Sequence, residues 1–182
     1  MEEPGWQLLE RDPLCVTPHL AVYRERVATP HQPGGVEWLT VTRKPGVVVA
    51  PRREDGRWLL IHEDRISPRR SFWSFPAGQI DAGAGDGRET AERELAEETG
   101  HRSRRWLHLG TMFSSPGFTD EKLHLWFADH AEPPVGAHAA EAAIREIRAF
   151  APAELRDLLA AGAICDANTL SALTHLFARG LF

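Results

Sequence analysis

Residues 78–100, GQIDAGAGDGRETAERELAEETG, constrain the fold more than any other stretch of the chain, because they end in a short helix with three carboxylates on one side. Glu94, Glu97 and Glu98 stand at i, i+3 and i+4, so at about 100° per residue they share an arc roughly 100° wide. Like charges at that spacing cost a helix about 0.2–0.5 kcal/mol per pair. A cation among them removes the cost, and clustered oxygens are the donors that a hard divalent ion such as Mg2+ takes. Asp86 followed by Glu89 reads as a capping box, Gly100 as the C-terminal stop, and Ala91 with Leu95 as the apolar edge on which the helix docks. Glu89 and Glu92 fall on the opposite, solvated side. The competing reading is a plain acidic surface helix, a common use of charge runs.

The rest of the chain fits one enzyme-sized domain. Its 182 residues can enclose a sizeable core, and 42% hydrophobic with 26% charged residues is ordinary for a soluble globular protein. A formal net charge of −5 argues against general nucleic-acid binding, which leaves a basic footprint. Cys15 and Cys165 are isolated and suggest neither a disulfide framework nor a zinc site. The acidic N-terminus has no apolar signal segment, and no run reaches the roughly 18 apolar residues of a membrane span. The expectation is a cytoplasmic protein with no membrane partner. Lys44 and Lys122 are the only lysines among 21 basic residues, so almost all positive charge is arginine.

The coarse layout is mixed. An N-terminal arm, residues 1–42, is predicted to hold strands near 19–27 and 36–42 around a turn at Pro33, Gly34 and Gly35. GVVVAPRREDGRWLLIHE reads as a β-hairpin, with strands at 47–50 and 58–62 and a turn at Asp55 and Gly56. Residues 73–75 lead into the loop before the helix. Further strands are predicted at 106–113, 122–128 and 146–151, and closing helices near 152–161 and 166–178. This order excludes a regular βαβ repeat, and GAGDG lacks the lysine and preceding strand of a phosphate-binding loop.

Residues 78–101 resemble the Nudix box, the signature of hydrolases that cleave a nucleoside diphosphate linked to another group. Its consensus runs Gly, five residues, Glu, seven residues, then Arg-Glu-hydrophobic-X-Glu-Glu-X-Gly-hydrophobic. Arg93, Glu94, Leu95, Glu97, Glu98 and Gly100 match the second half position by position. The first half departs from it: counting forward from Gly78 puts Ala84, and counting back from Arg93 puts Gly85, where the first glutamate belongs. The loop DAGAGDG thus has one extra residue and no carboxylate there. Three glycines (Gly83, Gly85, Gly87) make a mobile loop physically reasonable, and His101 takes the final hydrophobic position.

Arg65 with FWSFPAG (72–78), and SSPGFTDEKLHLWFA (114–128) with Pro116, are similar to motifs of ADP-ribose pyrophosphatases. The stretch around Glu141, Ile144, Glu146 and Ile147, followed by FAPAELRDLLAAGAICDANTL, resembles the end of that subfamily. The resemblance covers about residues 15–180. It implies an α/β fold, a Nudix α/β/α sandwich with a mixed central sheet and an N-terminal β arm. The arm (1–42) is expected to help build a homodimer beside a hydrolase domain (43–182).

The resemblance also assigns roles. Glu94 and Glu98 hold Mg2+, or Mn2+ in its place; Glu97 shares a second ion or orients its water, and the Ala77 carbonyl adds a ligand. Arg93 orients the glutamates. The general base lies outside the helix: Glu141 is the best match, Glu146 its rival, and Glu121 a third carboxylate that contacts substrate or metal. Arg65 matches the motif and, with Arg70, is expected to bind substrate; the alternative for Arg69 and Arg70 is a solvated turn. Phe118, in the matched segment, lines the site; apart from the resemblance, Trp38 or Tyr23 is a candidate to stack on a base, the competing use of the tryptophans being core or interface.

The function that follows is metal-dependent hydrolysis of a nucleoside diphosphate sugar, with ADP-ribose giving AMP and ribose 5-phosphate. The nearest rival is a GDP-mannose or UDP-glucose type of substrate. The rival from another class is a catalytically silent ADP-ribose-binding sensor module.

Overall fold

The computed structural model describes residues 4–81, 85–136, 138 and 141–182. The strands among them are β1 (Gln7–Val16), β2 (Leu20–Thr29), β3 (Gln32–Arg43), β4 (Gly46–Arg52), β5 (Trp58–Arg65), β6 (Arg70–Ser74), β7 (Ala77–Gln79), β8 (Arg105–Phe113), β9 (Lys122–Asp129) and β10 (Ile144–Phe150). The helices are α1 (Arg88–Thr99), α2 (Pro152–Ala160) and α3 (Ala167–Ala178). Two units result, Met1–Pro45 with Phe113–Lys122, and Gly46–Met112 with Leu123–Phe182.

In the first unit β1, β2 and β3 form an antiparallel sheet in that order. The segment Phe113–Lys122 is laced onto β3: the Val41 N–H donates to the Phe118 carbonyl at 2.7 Å, and Asp120 accepts from Thr42 Oγ1 and the Arg43 N–H. β1 was not legible in the sequence, because LLERDPL does not alternate. The reverse turn falls at Pro30 and His31, closed by the Gln32 N–H donating to Thr29 Oγ1 at 3.1 Å, and not at Pro33 to Gly35, which continue β3. Gly35 sits at φ 89, where a Cβ would lie 2.8 Å from Arg26 Cγ.

In the second unit, the four wholly buried residues Val47, Val48, Val49 and Ala50 on β4 set the layering. Successive side chains of a strand point to opposite faces, so an unbroken apolar run means that both faces are covered. Val48 and Ala50 join a core with Trp58, Leu60, Phe75, Leu155, Leu173 and Leu176, on the side of α2 and α3. Val47 and Val49 join a second core with Ile80, Ala91, Leu95 and Trp126, on the side of α1. The result is the expected α/β/α sandwich. Its sheet runs β10-β5-β4-β9-β8, with β6 on β5 and β7 on β4. β4 pairs parallel with β9 and antiparallel with β5 and β7, so the sheet is mixed.

The expected turn at Asp55 and Gly56 is present, with the Gly56 N–H bonded to the Arg53 carbonyl at 3.0 Å. Register between β4 and β5 is confined to Arg52 opposite Trp58, because β7 and β9 take most of the length of β4.

α1 ends as expected at Gly100, whose N–H donates to the Ala96 carbonyl with φ 73. Its start differs from the capping box. Gly87 is the N-cap, in the left-handed conformation, and Asp86 Oδ1 accepts only from the Arg88 N–H at 3.2 Å. Close packing explains this, because a Cβ on Gly87 would come within 2.6 Å of Val47 and Ile80 side-chain atoms. Gly83 and Ala84 lie outside the described residues. α3 is capped by Asp166, which accepts from the Thr169 N–H and hydroxyl.

Candidate active site

The apolar edge of α1 decides which of its acids are buried. Ala91 and Leu95 face Val47 and Val49, both fully buried, and this rotation carries Glu94 and Glu98 inward, each 7% exposed. Glu97, at the edge of the same arc, turns out, with its side chain 49% exposed. Arg93 bridges the pair, Nη2 to Glu94 Oε1 and Nη1 to Glu97 Oε2, both 2.8 Å. Glu98 Oε2 accepts the Ala77 N–H at 3.1 Å, which fixes the helix against β7.

Gly78 is the other half of this contact. A Cβ built there would lie 2.1 Å from Glu94 Cδ and Oε1, so the carboxylate rests directly on the glycine backbone. His101, at the last hydrophobic position of the motif, is buried, with Nδ1 2.9 Å from the Thr99 carbonyl. Burial pushes its pKa down, favouring the neutral ring that an apolar site accepts.

Glu63 on β5 joins the acids and had escaped sequence reasoning. It is 6% exposed, and Oε1 takes both the Ser74 hydroxyl at 2.7 Å and Arg65 Nη2 at 2.5 Å. The available signal was strand alternation, since Glu63 and Arg65 at i and i+2 share a face. Glu141 leads into β10, where the Ile144 N–H bonds to its carbonyl at 2.9 Å and Ile144 pairs with Glu63. The charge of Glu141 is felt at both Glu94 and Glu98. Glu146 lies opposite His62 and is exposed.

Arg65 and Arg70 face each other on β5 and β6 with Arg69 beside them, while Glu121, Phe118 and Trp38 belong to the first unit. Both oxygens of Glu121 are engaged there, by Arg43 at 3.0 Å and the Ser114 hydroxyl at 2.6 Å. Trp38 and Phe118 flank a shallow depression of about 620 Å³ with Leu14 and Leu39, and the Trp38 indole donates to the Gly117 carbonyl. The Tyr23 ring is covered by the Arg11 guanidinium, 3.8 Å from its centroid.

Among the described residues, no three His, Cys, Asp or Glu side chains are arranged as a metal-holding group. Arg93 draws on Glu94 and Glu97, and the Ala77 N–H holds Glu98. The donor chemistry nevertheless fits a hard divalent cation: Glu94 and Glu98 are buried, all-oxygen and close to the further negative charge of Glu141.

Residues 42–173 match the NUDIX domain. The chain belongs to the NUDIX family. This NUDIX chain is 30% identical over 109 residues to an ADP-ribose pyrophosphatase of Bacillus subtilis (strain 168), spanning 59% of its own length and 57% of that protein's. It is 30% identical over 156 residues to a CMP-5'-(N-acetyl-N-hydroxy-3-aminopropyl)phosphonate hydrolase of Streptomyces rubellomurinus (strain ATCC 31215), spanning 85% of its own length and 75% of that protein's. A crystal structure of an ADP compounds hydrolase superposes with a TM-score of 0.76 over all of both chains at 20% identity, a likeness of fold.

The electrostatics of the NUDIX helix set a pH dependence. Burial first, then the charges of Glu63, Glu94 and Glu141, push the Glu98 carboxyl up to about 8, against the opposing Ala77 N–H. Burial likewise raises Glu94, with Arg93 opposing and Glu97 and Glu141 adding to the rise. A raised acid binds more protons folded than unfolded from its ordinary 4.5 up to about 8. Metal-free stability is therefore full below that window and falls as pH rises through it, by at most about 1.4 kcal/mol per pH unit. Melting curves in EDTA from pH 5 to pH 9 check this; a flat profile contradicts the raised, buried carboxyl of Glu98.

Proposed function

We propose that this chain is a divalent-metal-dependent hydrolase of nucleoside diphosphate sugars, with ADP-ribose cleaved to AMP and ribose 5-phosphate. The observation that carries the reading is the pair of buried carboxylates, Glu94 and Glu98, held on α1 against β7 with the charge of Glu141 beside them. The names of the Bacillus relative and of the structural neighbour support the adenine diphosphate class.

The residues divide the work. Glu94 and Glu98, with the Ala77 carbonyl, would hold Mg2+, or Mn2+ in its place, and Glu97 at the rim would share a second ion or orient its water. A bound divalent ion supplies charge neutralisation of the diphosphate and a water of lowered pKa. Arg93 keeps Glu94 aimed. Glu141 acts as the general base, reaching the site from the turn before β10. Arg65, held by Glu63, would offer its guanidinium to a phosphoryl oxygen.

A different nucleotide partner is the second reading, favoured by the Streptomyces relative, whose name specifies a CMP-linked phosphonate. A homodimer through the N-terminal arm belongs to the same proposal, supported by the exposure of Leu14, Trp38, Leu39 and Phe118 on one unit. A cytoplasmic location completes it, with Cys15 and Cys165 both free and exposed.

The test is AMP release from ADP-ribose with Mg2+ and with EDTA, run beside GDP-mannose, UDP-glucose and a nucleoside triphosphate. Metal-dependent release selective for ADP-ribose is expected. Cleavage of another diphosphate overturns the substrate assignment and leaves the chemistry. Binding of ADP-ribose without cleavage overturns the hydrolase reading in favour of a sensor.

A further inference from the structure

Arg65 and Arg70 stand directly opposite each other across β5 and β6. Like charges at directly opposed positions destabilise a strand pair. Next to them Arg69 closes the turn, its N–H on the Ile66 carbonyl at 3.1 Å, with φ 54, a left-handed conformation uncommon in residues other than glycine. Arg145 comes from the far side of β5, where a register shift in β10 lies between Ile144 and Glu146, and its Nε is 2.6 Å from Asp64 Oδ1. The Ser71 hydroxyl donates to the same Asp64 oxygen at 2.5 Å. These residues enclose a cleft of about 290 Å³.

The charge balance of the cleft is uneven. Arg145 is answered by Asp64 and Arg65 by Glu63, while neither Arg69 nor Arg70 has an acidic partner among the described residues. Nothing aromatic lines it, so it offers no ring to a base. Arg65 connects it to the carboxylate site, since its partner Glu63 is among the charges felt at Glu98 and lies two residues back along β5, a step of about 7 Å. That step suits one sugar unit between a phosphoryl group at the carboxylate site and a second group in the cleft.

We propose that the cleft of Arg65, Arg69, Arg70 and Arg145 is a subsite for a second anionic group, a phosphate or carboxylate carried by the non-nucleotide half of the substrate. This rests on the nucleoside diphosphate reading above and extends it from ADP-ribose, whose sugar carries no further charge, to derivatives whose second half is acidic. Guanidinium forks bind such oxyanions bidentately, and an anion among them offsets the repulsion between the opposed arginines.

The test compares UDP-glucose with UDP-glucuronate, which differ only by a carboxylate on the sugar, by calorimetric binding with Mg2+ to a Glu141→Gln protein that retains the cleft. The uronate is expected to bind about tenfold more tightly. In the added Arg70→Ala/Arg145→Ala double variant the difference is expected to shrink to about twofold or less, and Arg70→Lys/Arg145→Lys to recover part of it. A second arm titrates inorganic phosphate into the wild-type chain in EDTA. Binding is expected to survive Glu98→Gln and to be lost in the double alanine variant. Equal affinity for the two nucleotides, a preference that survives the double variant with an unchanged melting curve, or phosphate binding indifferent to Arg70 and Arg145 overturns the proposal. AMP release from ADP-ribose decides the hydrolase reading separately, because neither the uronate preference nor metal-free phosphate binding depends on turnover.

Discussion

Glu98→Gln is expected to lower kcat for the metal-dependent reaction by about 10³-fold while making the metal-free protein more stable at pH 8. Both effects have one cause. Glu98 is a carboxylate in a site that is 7% exposed, with the charges of Glu63, Glu94 and Glu141 nearby, and in the absence of a cation its charge is a liability. Glutamine keeps the shape and keeps an oxygen for the Ala77 N–H, now 3.1 Å from the carboxylate, but carries no charge to attract a divalent ion. A gain of about 1 kcal/mol in EDTA would raise Tm by roughly 2–4 °C in a chain of this size. Added Mg2+ raises Tm of the wild type and leaves the variant unmoved. Melting curves with and without metal, beside initial rates, check both halves; near wild-type turnover would remove Glu98 from the metal site.

Gly78→Ala is expected to separate site geometry from stability in the opposite sense. The added Cβ would occupy the space of the Glu94 carboxylate, 2.1 Å from its carbon, and the flexible side chain can swing away at little cost to the fold. Tm in EDTA should stay within about 4 °C of wild type. Turnover should fall by about 10²-fold, as happens when a reacting group is misplaced by about 1 Å. Divalent affinity, followed by Mn2+ titration, falls with it. Unchanged rate and affinity would mean that Glu94 serves the site from another position.

The two substitutions also mark what could be read in advance. Gly78, the acidic spacing of α1 and the stop at Gly100 are local patterns, and local patterns survive in sequence because a helix turn repeats within four residues. The Val47 to Ala50 run likewise announced a strand, and its packing between two cores then showed both faces buried. The β1 strand and the turn at Pro30 escaped because their alternation is weak and Thr29 supplies the turn hydrogen bond from its side chain.

The sequence by itself determined that three carboxylates share one arc of one helix, that a mixed array of strands and helices surrounds them, and that the arginine and proline motifs beside them resemble those of a diphosphate-cleaving family. Only the tertiary structure decided that Glu98 is buried and its neighbour Glu97 exposed, because that depends on how Ala91 and Leu95 seat against Val47 and Val49. It alone brought Glu63, 15 residues before Gly78, and Glu141, 63 residues after it, to the same carboxylates through the pairing of β5 with β10. Spacing along a chain records contacts within one element; contacts between elements are set by which apolar faces must be buried together, and no single segment carries that information.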